Sequence, residues 1–134
     1  MTKDKGAAKV TVGIPKPEFR HSEKFVNAYA NNVQIEVSGW DLKLIFGQLD
    51  QGSGKVTVEQ HTAMTLPWAT AKLFNYYFNV NVAAYELENG KIKLPPDALP
   101  VRVPPPSGEL ANNPMAKAFA ELCNKMRDEF IAQL

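Results

Sequence analysis

The chain has 134 residues, of which 45% are hydrophobic and 22% charged, and its formal net charge is +1. This length predicts one domain with a modest core, and the near-neutral charge excludes a global field that would attract nucleic acid or an anionic membrane. The single Cys123 excludes an internal disulfide, and no cluster of ligand residues surrounds it to bind a metal. We therefore predict no metal, no cofactor and a reducing, cytoplasmic setting.

The first 24 residues are basic and have little periodicity. They hold six lysine or arginine residues, three acidic residues, Pro15 and Pro17. This composition predicts a flexible tail at 1–24, and no apolar run follows its positive charges as in a signal peptide. The tail is either an inert solubilising arm or a basic arm for an acidic or nucleic-acid partner.

The sequence VQIEVSGWDLKLIF, residues 33–46, predicts a β-hairpin with its turn at Gly39 and Trp40. Folding it there sets three apolar pairs on one face: Val33 with Phe46, Ile35 with Leu44, and Val37 with Leu42. Glu36 then lies opposite Lys43 on the other face. Gly39 is expected to supply the positive φ of a type II′ turn. Trp40, at the tip, either packs back on its own domain or is an exposed anchor for a partner.

A third alternating stretch follows the glycine-rich turn at 52–55, which predicts a three-stranded antiparallel meander. Thr65 is predicted as the N-cap of a helix over about 66–88, with Pro67 in its first turn and Gly90 as its stop. Its asparagines leave a break near 79–81 as an alternative. Residues 25–90 thus form a predicted β-β-β-α domain in an α+β fold.

A proline-rich segment and a second helix complete the chain. Residues 91–112 hold six of the ten prolines, which favours an extended strap on the domain, a free spacer or a proline-rich ligand. Asn113 as N-cap and Pro114 begin an amphipathic helix over 113–134. Its apolar face packs either on its own domain or on another chain, and consists of Met115, Phe119, Leu122, Met126, Phe130 and Leu134.

Few residues suggest catalysis. The stretch 52–55 lacks the spacing of a phosphate-binding loop and precedes a strand. Glu59 and His61 share a strand face, but an open polar face offers them neither a pocket nor a nucleophile. We therefore predict that the protein is not an enzyme.

The stretches YANNVQIEVSGWDLKLIFGQLD from Tyr29, MTLPWATAKLFNYYF from Met64 and AAYELENG ending at Gly90 resemble a small bacterial family of unknown function. The resemblance covers about residues 29–90 and rests on Tyr29, Asn31, Val33, Asp41, Phe46, Gly47, Ala71, Lys72, Tyr85 and Glu86. Leu66, inserted before Pro67, and the aromatic-rich helix depart from the family's pattern. The resemblance implies the β-β-β-α unit and no catalytic residues.

The first predicted helix carries apolar side chains on all sides, more than a three-stranded sheet covers. This surplus predicts a non-catalytic interaction module that acts as a homodimer and binds another protein. Its predicted contact residues are Trp40, Trp68, Tyr76, Phe78, Phe119, Leu122, Met126 and Phe130. One alternative is nucleic-acid binding through the basic tail, Lys43 and Lys55. The other is a small enzyme or ligand binder with a pocket at a dimer interface.

Overall fold

The computed structural model describes residues 16–52 and 54–134. Its strands are β1 (Asn32–Val37), β2 (Asp41–Asp50) and β3 (Thr57–Pro67), and its helices are α1 (Trp68–Asn89) and α2 (Pro114–Ala132). The predicted α+β fold and its element order are therefore confirmed. Most of the predicted tail, residues 1–15, lies outside the described residues, and residues 16–24 form neither helix nor strand.

The three strands form one sheet in the order β1-β2-β3, so β2 is central. The register of β1 and β2 confirms the predicted pairs, with Val33 opposite Phe46, Ile35 opposite Leu44 and Val37 opposite Leu42. On the other face Lys43 Nζ lies 3.8 Å from Glu36 Oε2. A shift of one residue would set apolar side chains against polar ones, which is why the pattern specifies this register.

The turn between β1 and β2 differs from the prediction. Gly39 does not have a positive φ, so the predicted type II′ turn is wrong. The Ser38 hydroxyl instead accepts hydrogen bonds from the backbone N–H groups of Trp40 and Asp41, each at 3.1 Å, and donates to Asp41 Oδ1 at 2.9 Å. A serine side chain therefore organises the turn that we expected glycine to make.

Gly47 is buried where β2 lies close against β3. A Cβ at this position would lie 2.8 Å from both Glu59 O and Val58 Cγ1, closer than real Cβ atoms approach other atoms. Asn31 is hydrogen-bonded to β2 beside this glycine. Its N–H donates to Gly47 O at 3.1 Å and its Oδ1 accepts from Leu49 N–H at 2.7 Å. Glycine is required here by the strand spacing rather than by a turn.

The start of α1 also differs from the prediction. Strand β3 continues through Pro67, which has an extended backbone (φ −58°, ψ 152°) and is itself the N-cap of a helix that begins at Trp68. Thr65 is therefore not the N-cap, and Pro67 is not in the first turn. The extended backbone of β3 continues past Thr65, where the helical spacing of the apolar residues had predicted the helix to start.

Helix α1 is continuous over its 22 residues, without the break considered near Asn79 and Asn81. The Asn79 and Asn81 side chains donate to the carbonyl oxygens four residues earlier, at 2.8 and 2.7 Å, so their hydrogen bonds stay within the helix and do not interrupt it. Gly90 ends the helix as predicted, with φ 83° and its N–H donating to Glu86 O at 2.9 Å.

The segment between the helices, residues 91–112, is called the strap below. It is mostly irregular, as predicted, with short 3-10 turns at Pro96–Ala98 and Gly108–Leu110 that its prolines do not prevent. The predicted N-cap of α2 is confirmed: Asn113 Oδ1 accepts from the N–H groups of Met115 and Ala116, at 2.9 and 3.1 Å.

The chain divides into two compact units. One ends at Leu66 and contains most of the sheet, and the other spans Pro67–Leu134 and contains both helices and the strap. We call them the sheet unit and the helical unit. The predicted divisions after residues 24, 90 and 112 stay predictions.

Candidate interaction surface

Large apolar side chains remain exposed around α1. Seven of them, between Leu73 and Tyr85, have exposed fractions of 46–61%, and no residue of the helix is buried. The stretch 73–85 contains no charged residue. The seven are Leu73, Phe74, Tyr76, Tyr77, Phe78, Val80 and Tyr85. An uncharged, aromatic surface of this kind is typical of a helix that other protein surfaces cover on more than one side.

These side chains form two groups on different sides of α1. At 3.6 residues per turn, Phe74, Phe78 and Tyr85 share one side, and the ring centroids of Phe74 and Phe78 are 5.7 Å apart. We call these three the phenylalanine ridge. Tyr76 and Tyr77, whose rings meet edge to face at 5.2 Å, belong to another side together with Leu73 and Val80. One flat partner surface cannot cover both groups.

Helix α2 carries two stripes, of which only one is partly buried. The partly or fully buried stripe consists mainly of small or polar residues at helical spacing and ends at one large apolar residue; its members are Ala116, Ala120, Cys123, Asn124, Arg127 and Ile131. Ala120 is the one buried apolar side chain found in the described residues. The large apolar stripe predicted from the sequence has exposed fractions of 42–78%. The face of α2 that packs within the helical unit is thus not its large apolar face.

Polar contacts hold the strap against the small stripe of α2. The Asn124 carboxamide pairs with both backbone groups of Val103, accepting from its N–H at 2.9 Å and donating to its carbonyl at 3.0 Å. Arg127 Nε donates to Pro100 O at 2.9 Å. These contacts pack this part of the strap against α2. We call these contacts, with the ion pair described next, the strap clasp.

An ion pair completes the strap clasp. Arg102 Nη2 donates to both carboxylate oxygens of Asp128 at 2.8 Å, and Arg127 Nη1 donates to Asp128 Oδ1 at 3.1 Å. The hydrogen bond from Arg102 is the main reason why the pKa of Asp128 lies below its ordinary value. Sequence analysis missed this set of contacts. The sequence feature that could have indicated them is the i, i+4, i+8 spacing of Ala116, Ala120 and Asn124, which marks a second face of α2 beside its large apolar stripe.

A cleft of about 560 Å³ lies within the helical unit, where the C-terminal half of α1, the start of the strap and the end of α2 meet. Its walls are mainly apolar, with Val82 and Leu87 from α1, and Phe130 from α2. Glu86 stands in its wall, where Oε2 accepts a hydrogen bond from Ile92 N–H at 3.0 Å. Phe130 and Leu134 belong both to this cleft and to the exposed stripe of α2, so the two surfaces are continuous.

The predicted contact residues are distributed over both units. Trp40, at the hairpin tip of the sheet unit, is 89% exposed, so it does not pack back on its own domain. Trp68, Tyr76 and Phe78 are exposed on α1, but Tyr76 and Phe78 lie on opposite sides of it. The four residues predicted on α2 share one exposed stripe, and these are Phe119, Leu122, Met126 and Phe130.

His61 is occupied by hydrogen bonds in the sheet unit. Its Nε2 lies 2.9 Å from Tyr29 O and its Nδ1 lies 2.7 Å from Thr62 Oγ1. Because a carbonyl only accepts, Nε2 carries the proton and Nδ1 accepts from the threonine hydroxyl. Proton transfer by this ring would first require these bonds to break. No three His, Cys, Asp or Glu side chains within 16–52 and 54–134 are placed to share a metal ion.

The family model described as a protein of unknown function, DUF3467, matches residues 1–94. The chain belongs to this family. No curated protein and no solved structure matches the chain. The DUF3467 match extends past the predicted resemblance at both ends and stops within the strap, so α2 lies outside it. The described part of this DUF3467 chain also has no helix that combines the length and the hydropathy needed to cross a membrane.

Several of the residues that carry the resemblance have structural roles in this DUF3467 fold. The Asn31 side chain accepts from Leu49 N–H in β2, and Gly47 lets β2 and β3 pack closely. Asp41 accepts from the Ser38 hydroxyl in the hairpin turn. Tyr29 O accepts from His61, and the Glu86 carboxylate accepts from Ile92 N–H. These contacts give part of the pattern a role in folding. The exposed apolar side chains therefore remain as candidates for function.

Proposed function

We propose that this DUF3467 protein is a non-catalytic interaction module that acts as a homodimer through its helical unit. The observation that carries the proposal is the exposure of α1, whose uncharged stretch 73–85 presents aromatic side chains on more than one side. Exposed apolar patches of this size mark interaction surfaces in soluble proteins. The proposal includes a cytoplasmic setting, which the lone Cys123 favours, and a bacterial source, which the family resemblance implies.

The area on α1 supports an interface of ordinary size. Full burial of one aromatic side chain removes roughly 150–250 Å² from water, so the five half-exposed aromatic residues of the uncharged stretch offer about 550 Å². A specific interface buries about 800 Å² on each partner. The exposed aromatic area of α1 is therefore comparable with a large share of one such interface, although it is divided between two sides of the helix.

The absence of charge favours a second copy as the partner. In a two-fold symmetric dimer, residues near the axis face their own counterparts, so charged residues there repel each other. The stretch 73–85 contains none. An uncharged surface also offers no electrostatic pattern by which a different charged partner would be selected.

The two other predicted functions have less support. The nucleic-acid alternative used Lys43 and Lys55, but Glu36 lies 3.8 Å from Lys43 and its carboxylate would repel phosphate. For the enzyme alternative, the hydrogen bonds on both ring nitrogens of His61 give that residue a structural role and so offer no support. Binding of a further protein stays part of the proposal, with Trp40 as the anchor, because it is exposed at a turn held by Ser38.

The test is the molecular mass of the full chain in solution, measured by sedimentation over a range of concentrations. We expect a dimer, and we expect Phe78→Asp to raise the dissociation constant about 30-fold or more, since loss of a central aromatic anchor costs about 2 kcal/mol or more. The buried carboxylate adds a desolvation cost on both copies.

Ala69→Asp is the matched control, because Ala69 is exposed and lies on the opposite side of α1 from Phe78. It adds the same charge to the first turn of α1, outside the uncharged stretch, where a carboxylate also suits the helix dipole. We expect this variant to remain dimeric with an unchanged helical circular dichroism signal. A wild-type chain that is monomeric at every concentration would contradict the proposal.

A further inference from the structure

Strand β1 is an edge of the sheet, and no strand pairs with its outer side in the described part of the chain. Ser38 N–H donates to Asp41 O at 2.9 Å, so the backbone groups of residue 38 face β2. Along a strand, the backbone groups of successive residues point to alternate sides. The N–H and C=O groups of Val33, Ile35 and Val37 therefore face away from β2, along an open edge.

The side chains of the same three residues lack a neighbour at this edge. They are 52–68% exposed, whereas the residues opposite them on β2 are half-buried. Natural sheets commonly protect an edge of this kind with lysine or proline residues or with a covering segment. Residues 32–37 contain neither lysine nor proline. A covering segment is therefore the protection that fits this edge best.

One short stretch within the basic first 24 residues alternates as a strand does. Residues 9–14 read KVTVGI, and we call them the N-terminal segment. In an extended chain Val10, Val12 and Ile14 share one face, and the residues between them share the other. The segment lies outside the described residues. It falls within the DUF3467 match, which begins at residue 1, so it belongs to the same family domain as the sheet.

We propose that the N-terminal segment pairs antiparallel with β1 of its own chain as a fourth strand and closes this edge. Each apolar residue of the segment then meets an apolar residue of β1: Val10 meets Val37, Val12 meets Ile35, and Ile14 meets Val33. The other edge strand, β3, offers no such match, because its residues 59–62 are four consecutive polar residues, EQHT.

The charged residues agree with the same register. Lys9 shares the polar face of the sheet with Glu36 and is its diagonal neighbour, at a spacing of about 7–8 Å that a long side chain can reach across. Lys43 lies 3.8 Å from the same carboxylate on the β2 side. Glu36 therefore has a cation on each neighbouring strand. A shift of the segment by one residue would put its apolar side chains on this polar face.

The chain between the segment and β1 is long enough for this pairing. Just before β1, the carbonyl oxygen of Tyr29 accepts a hydrogen bond from His61 of β3 at 2.9 Å. From there, residues 15–28 can span up to about 45 Å, whereas a three-stranded sheet is only about 10 Å across. The connection therefore reaches the outer side of β1. Because it tethers the segment to the same chain, it also keeps the local concentration of the segment at this edge high.

The test is amide hydrogen exchange of the full chain, followed by nuclear magnetic resonance. In the proposed sheet Ile35 N–H donates to the segment. We expect Val12→Pro to accelerate its exchange at least about ten-fold, because proline removes the opposing N–H and its ring blocks the pairing. Thr11→Pro is the matched control, since the Thr11 N–H points away from β1, where an edge strand tolerates proline. The amide of Gln34, which faces β2, should not change in either variant.

A disulfide test identifies the chain that supplies the segment. In the proposed register Thr11 and Glu36 are directly opposite, with Cα atoms about 4.5 Å apart, which suits a disulfide. In a chain that also carries Cys123→Ala, we expect Thr11→Cys and Glu36→Cys to form a bond within one chain, read from the mass after oxidation. Lys43→Cys in place of Glu36→Cys is the control, because Lys43 lies one strand further away, at about 10 Å. We expect the control to react at least about ten-fold more slowly.

Three results would overturn the inference. One is an Ile35 amide that exchanges in the wild type as fast as in an unstructured peptide. Another is protection of this amide that survives in Val12→Pro, because a different strand, such as β1 of a second copy, would then cover the edge. The third is a disulfide that forms only between two chains. None of them bears on the proposed homodimer, which concerns the helical unit and is tested by mass alone.

Discussion

The sheet unit and the helical unit use their side chains in opposite ways. In the sheet unit, opposed pairs on β1 and β2 set the register, and Gly47 brings β3 close to β2. In the helical unit the larger apolar residues point outward, and polar groups such as Asn124 and Asp128 make the internal contacts. The sheet's apolar pairs thus specify the register although their β1 members are 52–68% exposed, whereas the helical unit uses polar groups for its internal contacts and leaves its large apolar side chains exposed.

The first way to test this contrast is to disturb the contact of β2 and β3. Gly47→Ala places a methyl group 2.8 Å from the Glu59 carbonyl oxygen, so we expect the free energy of unfolding to fall by about 1–3 kcal/mol. Gly39→Ala is the control, because its Cβ meets nothing within 4 Å and its φ is not positive. Chemical denaturation measures both. Equal stability of the two variants would show that the strands separate easily and that Gly47 has no packing role.

The second test addresses the polar contacts of the helical unit. Asn124→Ala removes both hydrogen bonds to Val103, and we expect the clasp to lose about 1–2 kcal/mol. The Val103 amide should then exchange its hydrogen about 5–30-fold faster. Lys125→Ala, on the charged face, is the matched control. Unchanged protection of Val103 in the Asn124 variant would mean that the strap is held by something other than the clasp.

The smallest expected effect concerns pH. The pKa of Asp128 is lowered by its hydrogen bond with Arg102, so the folded chain binds this proton less readily than the unfolded chain. The ion pair therefore stabilises the fold above the ordinary carboxyl pKa of 3.8, and this contribution is lost as the pH falls through the lowered value. Denaturation of the wild type and of Asp128→Asn, between about pH 7 and pH 2, measures the difference.

We expect the advantage of the wild type over Asp128→Asn to shrink towards the acidic end of that range. Glu129→Gln is the control, since it removes a neighbouring carboxylate that takes no part in the clasp. A constant difference between the wild type and Asp128→Asn across the whole range would contradict a role for the ionised pair.

Much of the sheet unit could be predicted because its information is local. Alternation over 33–46 specified the strands and the pairing, while the turn conformation was missed because a Ser38 hydroxyl replaced the expected glycine geometry. The helical unit was harder. The apolar periodicity of α2 identified the helix and its exposed stripe, but the contacts of Asn124 and Arg102 join residues 21 and 26 positions away, and no local pattern pairs them.

The boundary between β3 and α1 was misplaced for a related reason. Thr65 and Pro67 are typical of a helix start, yet the strand continued through both because tertiary pairing outweighed local propensity. The residues that matter most to the proposed interface, Phe74 and Phe78, were visible only as surplus hydrophobicity. Their grouping with Tyr85 on one side depends on a helix that is continuous through residues 79–81, where the asparagines had left a break as an alternative.

The central claim is that a second copy covers the apolar side chains of α1 and α2. The most direct measurement is isotope-filtered nuclear Overhauser spectroscopy on a mixture of labelled and unlabelled full-length chains, which detects contacts between copies only. We expect signals from the ring protons of Phe78 in one copy to side chains of the uncharged stretch 73–85 in the other. A spectrum without any signal between copies, together with sedimentation of the same sample as a monomer, would contradict the account.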